Sequence, residues 1–184
     1  MTYGDVPEAA LDPKIHFTFL NDTVQEGQDV TLEIAVKNIS RYDMDSLLIA
    51  FSIFDRNDQT TILPYPRQKP LLSDSIIIAR ITFSTQGYGG LNYLLVDVNP
   101  NNDQLEKYHF NNVARLPFYV VEDNINPLLD VTFDGVHILD GDIVSPKAEI
   151  VIELTDENQY LMLNDTADYA IYLTTPNGIE AVSY

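Results

Sequence analysis

The chain of 184 residues contains no cysteine and no tryptophan. Without cysteine, no disulfide framework, zinc–thiolate centre or cysteine nucleophile can be built. Basic residues are scarce. Ten Lys and Arg stand against 28 Asp and Glu, giving a formal net charge of -18. Such a chain repels phosphate-rich partners, which excludes nucleic acid as a partner class, and an anionic membrane surface is disfavoured for the same reason. No apolar run approaches the length of a membrane span, so membrane insertion is not expected. The opening "MTYGDVPEAALDPK" lacks both a basic n-region and an apolar h-region, so it does not read as a signal peptide. If the protein is exported, the chain is processed or is a piece of a longer one. Catalytic signatures are missing as well. There is no H-E-x-x-H or H-x-H spacing around His16, His109 and His137, no G-x-S-x-G elbow, and no phosphate or dinucleotide glycine loop. No enzymatic activity is expected of this chain.

Hydrophobic residues make up 45% of the sequence, with 11 Tyr and 8 Phe. They alternate with polar residues and rarely follow helical spacing, which is a strand signature. "KIHFTFL" from Lys14 to Leu20 reads as a first strand. In "DVTLEIAVKN", Val30, Leu32, Ile34 and Val36 fall on one face, with Thr31, Glu33 and Lys37 on the other. "SLLIAFSIFD" is apolar on both faces, as a central strand would be. "TTILPY" is short and ends at prolines, which points to an edge. "SDSIIIARITFST" places Ile77, Ala79, Ile81 and Phe83 on one face, and "LNYLLVDV" and "NVARLPFYVV" complete the set. About seven strands at this spacing predict an immunoglobulin-like antiparallel β-sandwich over residues 13–122.

"VEDNINPL" interrupts the alternation and reads as a linker. A second β unit is expected over 123–184, with "LLDVTFDG" and "VHIL" as strand pieces, then "AEIVIEL", "DYAIYLTT" and "IEAVSY". About five strands fall short of a complete sandwich, so this unit is expected to be truncated or completed elsewhere. The fold class is therefore all-β, with tandem immunoglobulin-like sandwiches, the second incomplete.

"TVQEGQDVTLEIAVKNIS" (Thr23 to Ser40) and "VDVNPNNDQLEKYHFNNVA" (Val96 to Ala114) carry a resemblance to the CARDB family, the cell-adhesion-related domain of bacterial surface proteins. The resemblance departs at Ile39-Ser40, where the family favours a small residue, and at Tyr108, where an acidic residue is common. "DGDIVSP" and "LTDENQYLMLNDT" are similar to immunoglobulin-like segments of large exported bacterial proteins, in which they follow gingipain-like peptidase domains and precede a type IX secretion sorting domain. The resemblances imply a non-catalytic structural or adhesion spacer at the cell surface or outside the cell. Its partners would be other domains of the same polypeptide, and a surface protein or glycan. An accessory role C-terminal to a gingipain-like cysteine peptidase domain is a further reading.

Calcium is the one cofactor that the residues suggest. Asp97, Asn99, Asn101 and Asp103 recur at every second position, with Glu106 beyond them, and oxygen ligands so spaced can wrap a hard cation. The match to an EF-hand loop is poor. Asn102 stands where that loop needs glycine, and Tyr108 where it needs a bidentate glutamate. The alternative is a long hairpin turn whose Asn and Asp side chains bond their own backbone, with Asn111 and Asn112 capping the return strand. Glu122, Asp123, Asn124 and Asn126 of the linker form a second acidic cluster, either a calcium site or a solvated connection. Tyr88, Tyr93, Tyr108 and Tyr119 offer flat faces to a sugar or else serve packing. Asn21, Asn38 and Asn164 begin N-linked sequons, and Asp22, Asp45, Asp74 and Asp165 begin Asp-Ser/Thr-apolar triplets of the kind that bacteria O-glycosylate.

Overall fold

The computed structural model describes residues 6–12, 17–161, 170–175 and 178–182. It divides into two units, Met1–Asp123 and Asn124–Tyr184. No helix among the described residues is long and apolar enough to cross a membrane.

The first unit is a sandwich of two sheets. β1 (Ala9–Leu11) and β2 (Phe17–Phe19) lie end to end along one edge of β4 (Asp29–Asn38), and β7 (Ile76–Ser84) runs along the other. The second sheet has the order β3-β9-β8-β5-β6, formed by Thr23–Gln25, Val113–Val121, Gly90–Val98, Ile49–Phe54 and Thr60–Leu63. Period-2 alternation decides which side chains enter the core. Val30, Leu32, Ile34 and Val36 of β4 are fully buried, and Ala79, Ile81 and Phe83 of β7 join them. Facing them are Phe51 and Ile53 of β5, Leu94 and Val96 of β8, and Phe118 and Val120 of β9. The Phe118 ring lies 5.6 Å from Phe19 and 5.5 Å from Phe83, so aromatic contacts join the two layers.

The N-terminal segment changes sheets. After β2 it leaves β4, and β3 pairs with β9 in parallel, Thr23 opposite Tyr119 and Gln25 opposite Val121. β1 and β3 do not stand out in the sequence, because three residues are too few to show a period. They form because the edges of β4 and β9 offer unpaired backbone groups. The expected first strand is shorter than its sequence pattern, and its residues 14–16, His16 among them, lie outside the described residues. "TTILPY" is the edge strand β6, as its prolines require.

In the second unit, β10 (Leu128–Phe133) pairs with β11 (Ile150–Thr155), and β12 (Ile171–Thr175) pairs with β13 (Gly178–Val182), all antiparallel. "VHIL" does not form the expected strand. Gly135, with φ +78°, turns the chain, and only a bridge between Phe133 and Val136 follows. Leu129, Val131 and Phe133 stand opposite Leu154, Ile152 and Ile150, which gives this ribbon one wholly apolar face. Among the described residues, every buried apolar side chain belongs to the first unit.

Candidate functional site

The connection between β8 and β9 carries the densest set of polar side chains. Two tight turns shape it. The N–H of Asn102 donates to the carbonyl of Asn99 at 2.9 Å, with Pro100 at the second turn position, where its fixed φ fits. Asn99 and Asn102 adopt φ of 57° and 50°, a left-handed conformation that asparagine tolerates better than most residues. The second turn closes between Asn112 N–H and His109 C=O at 3.0 Å.

Between the two turns, Glu106 points inward. Its Oε1 accepts the backbone N–H of Ala9 at 2.6 Å, and its Oε2 accepts Asn99 Nδ2 at 2.5 Å and Asn112 Nδ2 at 2.8 Å. The same two amides brace the loop. Asn99 Nδ2 donates to Gln104 C=O at 2.6 Å while its Oδ1 accepts Gln104 N–H at 3.2 Å, and Asn112 Nδ2 donates to Val98 C=O at 3.0 Å. Asn99 and Asn112 are fully buried. Glu8 completes the cluster, accepting Lys107 N–H at 2.8 Å and Asn111 Nδ2 at 3.3 Å. Burial pushes the Glu106 carboxyl up from its ordinary value. The bonds from Asn99, Ala9 and Asn112 pull it back, and the nearby Glu8 adds to the rise.

This geometry places each expected ligand. Asn99 and Glu106 come together, but as donor and acceptor. Asp97 bonds His109 Nε2 at 2.9 Å. Asp103 forms an ion pair with Arg67, whose Nη1 also reaches Ser46 Oγ at 3.0 Å. Asn101 is exposed. In the linker, Glu122 pairs with Arg56, and Asp123 N–H lies 3.5 Å from Glu26 Oε2, while Asn124 and Asn126 are exposed. Among the described residues, no three His, Asp or Glu side chains converge as a metal cluster would require. A cleft of about 300 Å³ beside the loop is lined by Pro100, Asn102, Glu106, Tyr108 and His109.

Sequence reasoning missed Glu8, Arg67 and Gln104. Glu8 and Arg67 have no local signal, because they act on residues far away along the chain. Gln104 meets Asn99 through backbone groups that any residue type supplies, and sends its side chain to the distant Asp45 N–H. The four tyrosines do not share one platform. Tyr88 packs against the core and Tyr108 lies 5.6 Å from Phe110, while Tyr93 and Tyr119 occupy the outer face of the second sheet. The sequon residue Asn38 is fully buried, with Nδ2 bonded to the carbonyls of Tyr42 and Leu71 and Oδ1 bonded to Ser40, so it offers no free amide in the folded state. Asn164 and Asp165 lie outside the described residues.

No family model matches the chain, and no curated protein matches it. Solved structures do. A crystal structure of the CARDB domain of a Pyrococcus furiosus protein, in complex with di-metal ions, covers 67% of this chain and 100% of its own, with TM-score 0.53 and 18% identity. A solution structure of that domain covers 64% and 97%, at 19% identity and TM-score 0.49. A domain named as part of a cell surface protein of Methanosarcina acetivorans covers 64% and 94%, at 17% identity and TM-score 0.46. At such identity the first likeness speaks for fold alone, and with the strand order above it establishes that the chain carries a CARDB-like, all-β immunoglobulin fold.

Proposed function

We propose that this chain is a non-catalytic spacer of an exported bacterial surface protein, built to hold distance and bear load between other domains of the same polypeptide. The observation that carries this reading is the parallel pairing of β3 with β9. One strand lies near the start of the first unit and the other at its end. Tension between the unit's two ends therefore pulls the ladder lengthwise. Its hydrogen bonds, among them Tyr119 N–H to Asp22 C=O at 2.8 Å and Glu26 N–H to Val121 C=O at 3.0 Å, resist together rather than opening one at a time. The Glu106 bond to Ala9 adds a side-chain tie on the same N-terminal segment.

Single-molecule force spectroscopy tests this. The chain has no cysteine, so attachment points can be introduced uniquely. Pulling between the ends of the first unit should require more force than pulling between Ser52 and Ile62, which unzips the antiparallel pair β5–β6. Equal forces in the two directions would sink the load-bearing reading. Placement after a gingipain-like cysteine peptidase domain, in a type IX secreted protein, rests on the sequence resemblance of the second unit. Upstream sequence encoding such a domain would support it.

Calcium binding is the second reading. The di-metal description of the similar Pyrococcus furiosus domain favours it, together with the acidic segment Asp97 to Glu106. Glycan binding is supported only by the exposed tyrosines.

A further inference from the structure

The chain from Glu8 to Gln25 makes one pass along the first unit. β1 pairs with the last residues of β4, Ala9 opposite Asn38 and Leu11 opposite Val36. β2 pairs further back along β4, Phe17 opposite Ile34, and β3 then joins β9. Three short ladders are thus met in order from the N-terminus. β1 is bonded along both of its edges. On the β4 side, Ile39 N–H donates to Glu8 C=O at 2.8 Å, and Asp12 N–H donates to Ala35 C=O at 2.8 Å. On the other side lies the loop that precedes β9. Leu11 N–H donates to Asn111 C=O at 3.0 Å, and Asn111 Nδ2 donates back to Ala9 C=O at 3.1 Å. Two carboxylates complete the clasp. Glu106 accepts Ala9 N–H, and Glu8 accepts Lys107 N–H at 2.8 Å and Asn111 Nδ2 at 3.3 Å. β1 therefore ties the sheet of β4 to the loop that leads into β9.

What β1 lacks is apolar anchorage. It buries Ala9 fully and Leu11 partly, whereas β2 contributes Phe19 to the aromatic cluster and β3 contributes Val24 to the core. Water replaces broken hydrogen bonds at small net cost, while withdrawing Phe19 or Val24 exposes apolar surface. An element held by bonds more than by burial opens locally, without the rest of its domain. The tie is also first in line. Tension that enters at the N-terminus meets β1 before β2 and before the β3–β9 ladder.

We propose that β1 is a load-released latch. Under tension it leaves β4 and the 106–111 loop as one piece, while β2, β3 and the core stay in place, and it rebinds when tension falls. The device rests on the load-bearing reading of the first unit. It gives that unit a reversible extension at forces below the rupture of the main ladder. Phe17 follows Ala9 by eight residues, while their partners Ile34 and Asn38 are only four apart on β4. Release therefore lengthens the unit by about 13 Å.

Force-clamp spectroscopy of the whole chain, with one handle at Asn124, tests the proposal. With the other handle at the N-terminus, a reversible step of about 13 Å should precede the main rupture. Moving that handle to the exposed Leu20 bypasses β1, so the early step should vanish and the main rupture remain. Asn111→Ala removes the side-chain bonds to Glu8 and Ala9. It should shorten the lifetime of the latched state about tenfold and leave the main rupture unchanged. A single rupture from the N-terminal handle overturns the latch, as does an early step that persists from Leu20. So does an Asn111→Ala variant whose main rupture weakens as much as its early step, since β1 would then belong to the main ladder. Failure of the load-bearing reading shows separately, as a main rupture no stronger than the Ser52–Ile62 unzipping.

Discussion

Glu106 Oε1 and the backbone N–H of Ala9, 97 residues apart in sequence, meet at 2.6 Å. The loop after β8 and the strand that opens the fold are thereby fixed to each other. A carboxylate suits the position because the groups bonded to it all donate: Ala9 N–H on one oxygen, and the amides of Asn99 and Asn112 on the other.

The Glu106 titration follows. Burial raises its carboxyl in the folded chain, so ionising it costs more there than in the unfolded chain. Its contribution to stability is fully present below the ordinary glutamate range and is lost as pH rises through the raised value. Glu106→Gln cannot titrate, and its NH₂ must face at least one N–H donor. The variant should be less stable by about 1–3 kcal/mol at neutral pH. The gap to the wild type should widen as pH falls through the raised value towards the ordinary glutamate range, and hold steady below that range. Urea unfolding at a series of pH values measures it. A gap that narrows on acidification would mean that the three donors outweigh burial.

Asn112→Ala removes two bonds at once. The carbonyl of Val98 and Oε2 of Glu106 each lose a donor, and the amide that supplied both is fully buried. The expected loss is about 1–3 kcal/mol, equal in EDTA and in calcium. Unchanged melting would show that the side chain is dispensable to the turn.

How much of this was legible in the sequence depends on range. The alternation of β4 and β7 placed their buried faces correctly, because period 2 is a local property. Pro100 and the asparagines beside it marked a turn, because turn chemistry is local too. The role of Glu106 was not legible. As a sequence its spacing from Asp97 suggested a ligand, while its actual partner, Ala9, sits at the other end of the domain. β1 and β3 were hidden for the same reason, being defined by the strands they join. "VHIL" misled because four apolar-rich residues say nothing about whether a neighbouring strand is there to pair with them.

The expected behaviour with calcium follows from which carboxylates are already engaged. Asp97 is held by His109, Asp103 by Arg67, Glu106 by three N–H groups, and Glu122 by Arg56. Melting curves in EDTA, millimolar calcium and magnesium should superimpose. A rise specific to calcium would instead establish the second reading, since a ligand that binds only the native state raises its stability. Asp97→Ala and Asp123→Ala would then tell the loop from the linker.

The two units should differ sharply when separated. Every buried apolar side chain among the described residues lies between Ala9 and Val120, including the whole Phe19, Phe83 and Phe118 cluster. A chain ending at Asp123 keeps that core, the β3–β9 ladder and the Arg56–Glu122 pair. Its melting temperature should stay within about 2 °C of the parent, a shift well below what about 1 kcal/mol produces in a domain of this size. The second unit has the opposite character. In the β10–β11 ribbon, Leu129, Ile150, Ile152 and Leu154 are all more than a third exposed, and two-stranded ribbons are marginal by themselves. Residues 124–184 alone should therefore melt without a cooperative transition and bind a dye that reports exposed apolar surface. A sharp transition in that fragment would mean that its apolar face is covered within the fragment, and the second unit would then count as a domain in its own right.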